Sequence, residues 1–364
     1  MKIPSKLIIP VVFLFCQVVA AQQSKNLVTQ AELDEMYKAI ETDTNLAKLL
    51  SWFGEPEELY RSYKINKAKA DSTWEYDQQN LSKLENIGVT EHLEILPLID
   101  WFTVDDSLTG ESGVSYLIRT DEVTILFDVG LNAKQEDPSP LLRNMERLGI
   151  GLDEIDMIVI SHNHGDHVGG DKWGRMNSFS LTNYQMELDP IPVYTPNEMS
   201  YPGLTPIYTP QPVKISEGVA TLGVIHNPVF FIDIAEQALS INVKDKGIIV
   251  ISGCGHQSMK KILERTDLLF DQPVYAVLGG FHYPVEEGRN IGWIYKYVVV
   301  DKLPWERLTV EDVEENIDLM KAKNIQRAGL SGHDSCDKSI KAFKEAFGDN
   351  YMDIKVGQKI IISN

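Results

Sequence analysis

Six residues, His162 to His167, hold three of the chain's eight histidines together with one aspartate, in the order His-Asn-His-Gly-Asp-His. The apolar run Met157-Ile158-Val159-Ile160 leads straight into them and reads as a buried strand. Alternate side chains of an extended segment leave the same face, so His162 and His164 can grip one metal ion from one side. Gly165, Gly169 and Gly170 break the strand, and the turn presents Asp166 and His167 to a second ion. Neutral imidazoles with a carboxylate are a donor set that suits zinc and similar divalent metals. No other stretch constrains the chain as tightly.

Length and charge bound the rest. A chain of 364 residues, 43% of them hydrophobic, can bury a sizeable core in one large domain or two smaller ones. A formal net charge of −19 disfavours nucleic acid or an anionic membrane as partner and reads as a solvated, soluble surface that says little about the pocket. Residues 1–21 read as a signal peptide: Lys2 and Lys6 start it, Leu7 to Ala20 is a short apolar run, and Ala20-Ala21 offers small residues for cleavage. That run is short for a membrane span, which needs about 20 apolar residues. Cys16 follows Phe15 rather than a small residue, which argues against a lipid anchor. The expectation is an exported protein, periplasmic or secreted, with no stable membrane anchor once the leader is removed. Export leaves Cys254 and Cys336, either as one bridge or as two buried thiols; two cysteines are no disulfide framework for this length.

Residues 22–90 read as a helical extension. Thr29-Gln30-Ala31-Glu32 has the capping-box pattern. Leu33, Met36, Tyr37 and Ile40, then Leu46, Leu49, Leu50 and Phe53, recur at helical spacing and are expected to face a core. The main domain, 91–364, opens with a strand candidate at His92 to Leu98. A hairpin, Ser115 to Arg119 with Val123 to Asp128, turns at Thr120-Asp121-Glu122. A helix is expected over Pro140 to Leu148. Residues 171–215, rich in Pro, Asn, Ser and Tyr, read as a long loop with one strand near Val193. A second hairpin, Ala238 to Val243 with Gly247 to Ile251, ends in Gly253-Cys254-Gly255-His256.

The spacing His-x-His-x-Asp-His with Gly-Gly close behind resembles the signature of the metallo-β-lactamase superfamily. Gly253-Cys254-Gly255-His256, Gly279-Gly280-Phe281-His282 and Ser331-Gly332-His333-Asp334-Ser335-Cys336 follow in order. This order is similar to that of the branch named for a dihydropterin-aminobenzene-phosphate synthase. The branch usually carries Gly-Cys-Ser-His and His-Cys-Thr-Gly, so the chain departs at Gly255 and at Asp334-Ser335-Cys336. The resemblance implies an α/β (α+β) αββα sandwich, here with the N-terminal helical extension, and one or two divalent ions, zinc first and manganese or iron as alternatives. Carried over by position, His162, His164 and His256 hold the first ion, and Asp166, His167 and His333 the second. His282 is either an alternative ligand or a substrate contact. Asp128 and Cys254 stand behind the ligands. Cys254 takes the place where most dinuclear members carry a bridging aspartate, which predicts a weaker second ion. The expected activity is hydrolysis of a small-molecule ester, lactone, amide or phosphoester by a metal-bound hydroxide, with Asp166 orienting it. The alternatives are a condensing transferase like the branch's name-giver and a non-catalytic metal-binding protein. His92 and His226, outside the motifs, read as surface or satisfied core histidines.

Overall fold

The computed structural model describes residues 27–289 and 292–363. The expected leader lies outside the described residues, among which no helix is long and apolar enough to cross a membrane. Fifteen strands follow in order: β1 His92–Ile99, β2 Ser115–Arg119, β3 Thr124–Phe127, β4 Met157–Val159, β5 Val193–Thr195, β6 Ile207–Tyr208, β7 Val213–Ser216, β8 Val219–Thr221, β9 Ile225–Val229, β10 Ile232–Glu236, β11 Leu239–Val243, β12 Gly247–Ser252, β13 Val274–Gly279, β14 Arg327–Leu330 and β15 Ile360–Ser363. One sheet has the order β15-β1-β2-β3-β4-β5-β6 and the other β14-β13-β12-β11-β8-β7, with β9 and β10 paired apart.

Strand composition explains the layering. β12 is apolar along its whole length and buried at every residue, as a strand covered on both faces must be. Ile249 and Ile251 point between the sheets, where they meet Ile125, Phe127 and Val159. Ile248 and Val250 point the other way, against Ile262, Leu263, Val313 and Phe343 of the helices Met259–Leu269, Val310–Ala322 and Asp337–Phe347. On the far side Leu117, Leu126 and Ile158 pack on Leu141 and Met145 of the helix Pro140–Leu148. The result is the expected helix–sheet–sheet–helix sandwich. Each such side chain contributes about 1.5–3 kcal/mol on burial, so these three layers hold the edges that carry the motifs.

Strand direction then positions the site. β4 runs parallel to its neighbours β3 and β5. β12, β13 and β14 are likewise parallel in the other sheet. Parallel strands end at one edge, and open α/β sheets bind ligands beyond those carboxyl ends. Each motif begins where one of these four strands stops, at Ser161, Gly253, Gly280 and Ser331.

Among the described residues the N-terminal segment forms the helices Gln30–Thr42, Thr44–Leu50 and Pro56–Asn80. The Thr29–Glu32 capping box is present in both directions. Leu33, Met36, Leu46, Leu49 and Leu50 bury as expected, in a core shared with Phe230, Phe231, Tyr297 and Leu303. Two expectations fail here: Tyr37 is 42% exposed and Phe53 is 52% exposed. Tyr37 sits past the edge of the Leu33–Met36 face, and Phe53 lies beyond its helix, resting edge-on against Phe230 at 4.8 Å.

Candidate metal centre

The loop after β4 places His162 and His164 with Nε2 of the first 3.1 Å from Nδ1 of the second. The short helical turn Gly165–Val168 then lifts Asp166 and His167 beside them. From the opposite sheet come Cys254 and His256 after β12, and His333 after β14. Cys254 Sγ lies 3.0 Å from His167 Nε2 and 3.1 Å from His333 Nε2. The rings of His162 and His164 stand 5.0 and 5.1 Å from that of His256. Donor atoms within 4.8 Å of one another form four overlapping groups: Asp166, His167, Cys254 and His333; His162, Cys254 and His256; His162, His164 and Asp166; Cys254, His282 and Asp334.

Carboxylates and hydroxyls behind the histidines set which nitrogen carries the hydrogen. Asp128 Oδ2 accepts from Ser161 Oγ at 2.7 Å and from His167 Nδ1 at 2.7 Å. With its hydrogen committed to Asp128, the Ser161 hydroxyl accepts from His162 Nδ1 at 3.0 Å. Asp100 repeats the device: Ser331 Oγ donates to it at 2.5 Å and accepts from His333 Nδ1 at 2.6 Å. Three imidazoles therefore keep Nδ1–H on their supports and turn Nε2 inward, as histidines held by outer partners do at metal sites. Asp128 achieves this with φ of +58°, in the left-handed region. Gly253 has to be glycine, because a Cβ there would lie 2.2 Å from Ser161 Oγ.

Charge follows from burial. Burial, then the other imidazoles, holds His162 and His256 well below the usual histidine range. Burial lowers His333 to about 3 and His282 to about 4. His167 goes the other way: burial lowers it, but Asp166 and Asp128 outweigh that and raise it to about 9. Burial works to raise Asp166, and His167, His333 and His164 reverse it, keeping the carboxylate ionised. The Cys254 thiol is pushed well up by burial and by Asp166, Asp334, Glu236 and Asp128. Burial thus keeps His162, His256, His282 and His333 neutral around the anionic Asp166, and His167 is the exception whose carboxylate neighbours favour its charged form.

A divalent ion fits this set. Both ring nitrogens of buried His256 lack any hydrogen-bond partner, as does Nδ1 of His282. At zinc-ligand bond lengths, tetrahedral nitrogens stand about 3.3 Å apart and a nitrogen and a sulfur about 3.5 Å. The nitrogen pair of His162 and His164, at 3.1 Å, is close to that spacing, and the two nitrogen–sulfur separations of 3.0 and 3.1 Å fall about half an ångström short of it.

Sequence-predicted residues all reach the site, with two distinctions that sequence left open. His333 joins Asp166 and His167, whereas His282 stands with Cys254 and Asp334. Its Nε2 donates to the Val298 carbonyl at 2.8 Å, leaving Nδ1 as an acceptor. Cys254, placed behind the ligands by the sequence reading, has its sulfur among the donor atoms. Cys254 and Cys336 are buried and both free. His92 is exposed, and His226 is satisfied by Asp233 at 3.0 Å.

Sequence reasoning missed three carboxylates. Asp100 follows the apolar strand β1 just as Asp128 follows β3, and that parallel was a usable signal. Glu236 accepts from the backbone N–H of Cys254, Gly255 and His256 at 3.0, 2.9 and 2.7 Å, clamping the Gly-Cys-Gly-His turn. Asp334 accepts from His282 N at 2.9 Å. Nothing local marks Glu236. The centre floors a cavity of about 520 Å³ whose walls include Trp101, Leu131, Arg289, Tyr295 and Val298.

The sequence model of the metallo-β-lactamase superfamily matches residues 108–173, the span holding Asp128 and the His-x-His-x-Asp-His loop. The 7,8-dihydropterin-6-methyl-4-(beta-D-ribofuranosyl)-aminobenzene-5'-phosphate synthase of Methanocaldococcus jannaschii is 27% identical over 242 residues, covering 55% of this chain and 80% of the synthase. The anti-Pycsar protein Apyc1 of Saccharibacillus brassicae is 43% identical over 54 residues, 15% of this chain and 19% of that protein. Among solved structures, Tm1679, described as a metal-dependent hydrolase of the β-lactamase superfamily, superposes with a TM-score of 0.50 at 20% identity, over 75% of this chain and all of that one. This last likeness is one of fold.

Proposed function

We propose that the chain is a member of the metallo-β-lactamase superfamily, whose sequence model matches residues 108–173, and that it is an exported metal-dependent hydrolase of a small-molecule ester, lactone, amide or phosphoester. The observation that carries the reading is the inward turn of His162, His167 and His333 at the floor of one cavity, each held by a hydroxyl or carboxylate behind it. His162, His164 and His256 would hold one ion, and Asp166, His167 and His333 a second, with zinc the first candidate and manganese or iron behind it. An ion held there supplies Lewis-acid polarisation of a carbonyl or phosphoryl oxygen and brings the pKa of a coordinated water from about 15.7 toward about 7.

The chain's own residues do the rest. Asp166, kept ionised by its imidazole neighbours, is the carboxylate placed to orient a nucleophilic water. Trp101, Leu131 and Val298 give the cavity apolar walls that shield the reacting atoms from bulk solvent. His282, neutral and with Nδ1 free, accepts a hydrogen bond from a donor on the substrate. The net charge of −19 supports a small-molecule partner over nucleic acid.

Incubating the metal-loaded protein, without its leader, with panels of esters, lactones, amides and phosphodiesters tests this reading. Turnover that disappears on chelation and returns with metal is expected. Full metal occupancy with no turnover on any class would leave a metal-binding protein instead. The identity to the M. jannaschii synthase favours a second reading, a condensing transferase. Product analysis separates the two: condensation joins two offered molecules, whereas hydrolysis consumes only water.

A further inference from the structure

Cys254 is the point where the ligand groups overlap. Its sulfur belongs both to the group with Asp166, His167 and His333 and to the group with His162 and His256. The two imidazoles nearest it present Nε2, at 3.0 and 3.1 Å, and both carry their Nδ1 hydrogen on a support turned away from the sulfur. Placed beside these two inward nitrogens and within 4.8 Å of the His162 and His256 donors, the sulfur is the one donor atom common to the two groups. We infer that Cys254 is a bridging thiolate, one sulfur shared by two metal ions, standing in for the carboxylate that its position would otherwise supply.

This deepens the metal-centre reading above and rests on it. On binding, the thiol proton leaves to solvent and the sulfur lone pairs form the two new bonds, as thiolate ligation requires. The sulfur is well held for this. Glu236 fixes the backbone of Cys254 and of both residues after it, and the neighbouring Gly253 admits no side chain against Ser161. A shared anion offsets the repulsion between two dications about 3.5–4 Å apart, so the sites are coupled rather than one strong and one weak. Cys336 does not compete, because its sulfur faces Ser339 Oγ at 3.3 Å, away from the centre.

Cobalt(II) replacement reads this without any substrate. The chain without its leader is stripped of metal, titrated with cobalt, and followed by near-ultraviolet absorption and X-ray absorption at the cobalt edge. Two cobalts should bind, with a thiolate-to-cobalt charge-transfer band and, on average, about one sulfur neighbour per cobalt. In Cys254→Ser the band should vanish. About half a sulfur per cobalt, meaning a terminal thiolate, would overturn the bridge, as would no sulfur or saturation at one cobalt; the metal centre itself would survive all three. Failure of wild-type protein to bind any cobalt would remove the metal centre and the bridge together. Because the decisive spectrum is that of the unmodified chain, misfolding of the variant leaves the test intact.

Discussion

At the scale of single residues, the centre separates groups that hold from groups that aim. His164 lies between the His162 and Asp166 donors and has no support of its own behind it. His164→Ala therefore removes a donor outright, and elemental analysis should show most of the bound metal gone from a protein that still folds. Asp128 touches no cavity atom but holds both Ser161 and His167. Asp128→Asn keeps the shape and can turn its amide toward His167, favouring the wrong tautomer. Loss of such an outer partner typically costs about 10–100-fold in metal affinity, and a competition titration with a chromophoric chelator should read a drop in that range. An unchanged affinity would mean that His167 is oriented by packing alone. The histidines were legible because three ligands sit within six residues and a strand precedes them. The place of Asp100 after β1, like that of Asp128 after β3, was legible as well, but its role was not, since the Ser331 it steadies lies 231 positions away.

At the scale of elements, periodicity carried far where one face or both faces of an element are buried. The helix Pro140–Leu148 and the hairpin of β2 and β3 stand as the alternation and turn residues predict. The β9–β10 pair and β7–β8 escaped notice because each strand is only three to five residues long; Val213-Lys214-Ile215-Ser216 and Ile232-Asp233-Ile234 do alternate, but over too few residues to stand out. Residues 171–215 hold more structure than a loop, with β5 and β6 extending the sheet in parallel register. Pairing to a distant strand, which no local pattern records, decides such short segments. The helical arm shows a third case. Asp43 caps the helix Thr44–Leu50 by accepting from Asn45 N and Leu46 N, both at 3.1 Å, and also accepts from Tyr297 at 2.8 Å and pairs with Arg307. Tyr297 adjoins Val298, whose carbonyl fixes His282. Asp43→Ala should cost about 1–2 kcal/mol in urea unfolding, most of it from the lost cap, with the partly exposed Arg307 pair adding little. It should also alter substrate affinity more than metal content, because the arm reaches the cavity wall and none of the proposed ligands.

At the scale of the molecule, the centre ties two halves of a sandwich together. His162, His164, Asp166 and His167 belong to the edge of the seven-stranded sheet, while Cys254, His256 and His333 come from the six-stranded one. Between the sheets lies a continuous apolar layer, yet at the carboxyl edge the two meet through imidazoles, a thiol and buried carboxylates. Without a cation that edge gathers ionisable groups that burial shifts strongly, which weakens it relative to the packed interior. An ion bound there binds the folded chain and not the unfolded one, and so stabilises by about 2.7 kcal/mol at one hundred times its dissociation constant. For a chain of this length each kcal/mol moves the melting temperature by about 1.3 °C, so stripping the metal should lower it by about 3–4 °C per ion. Calorimetry of the loaded and chelated protein should show the whole main transition shifting down together, because the tie joins both sheets. A low-temperature shoulder with the main peak unmoved would instead mean that only the motif loops depend on metal. An unmoved transition in protein shown by elemental analysis to be metal-free would mean that the seam holds by its hydrogen bonds alone, through Asp100, Asp128 and Glu236.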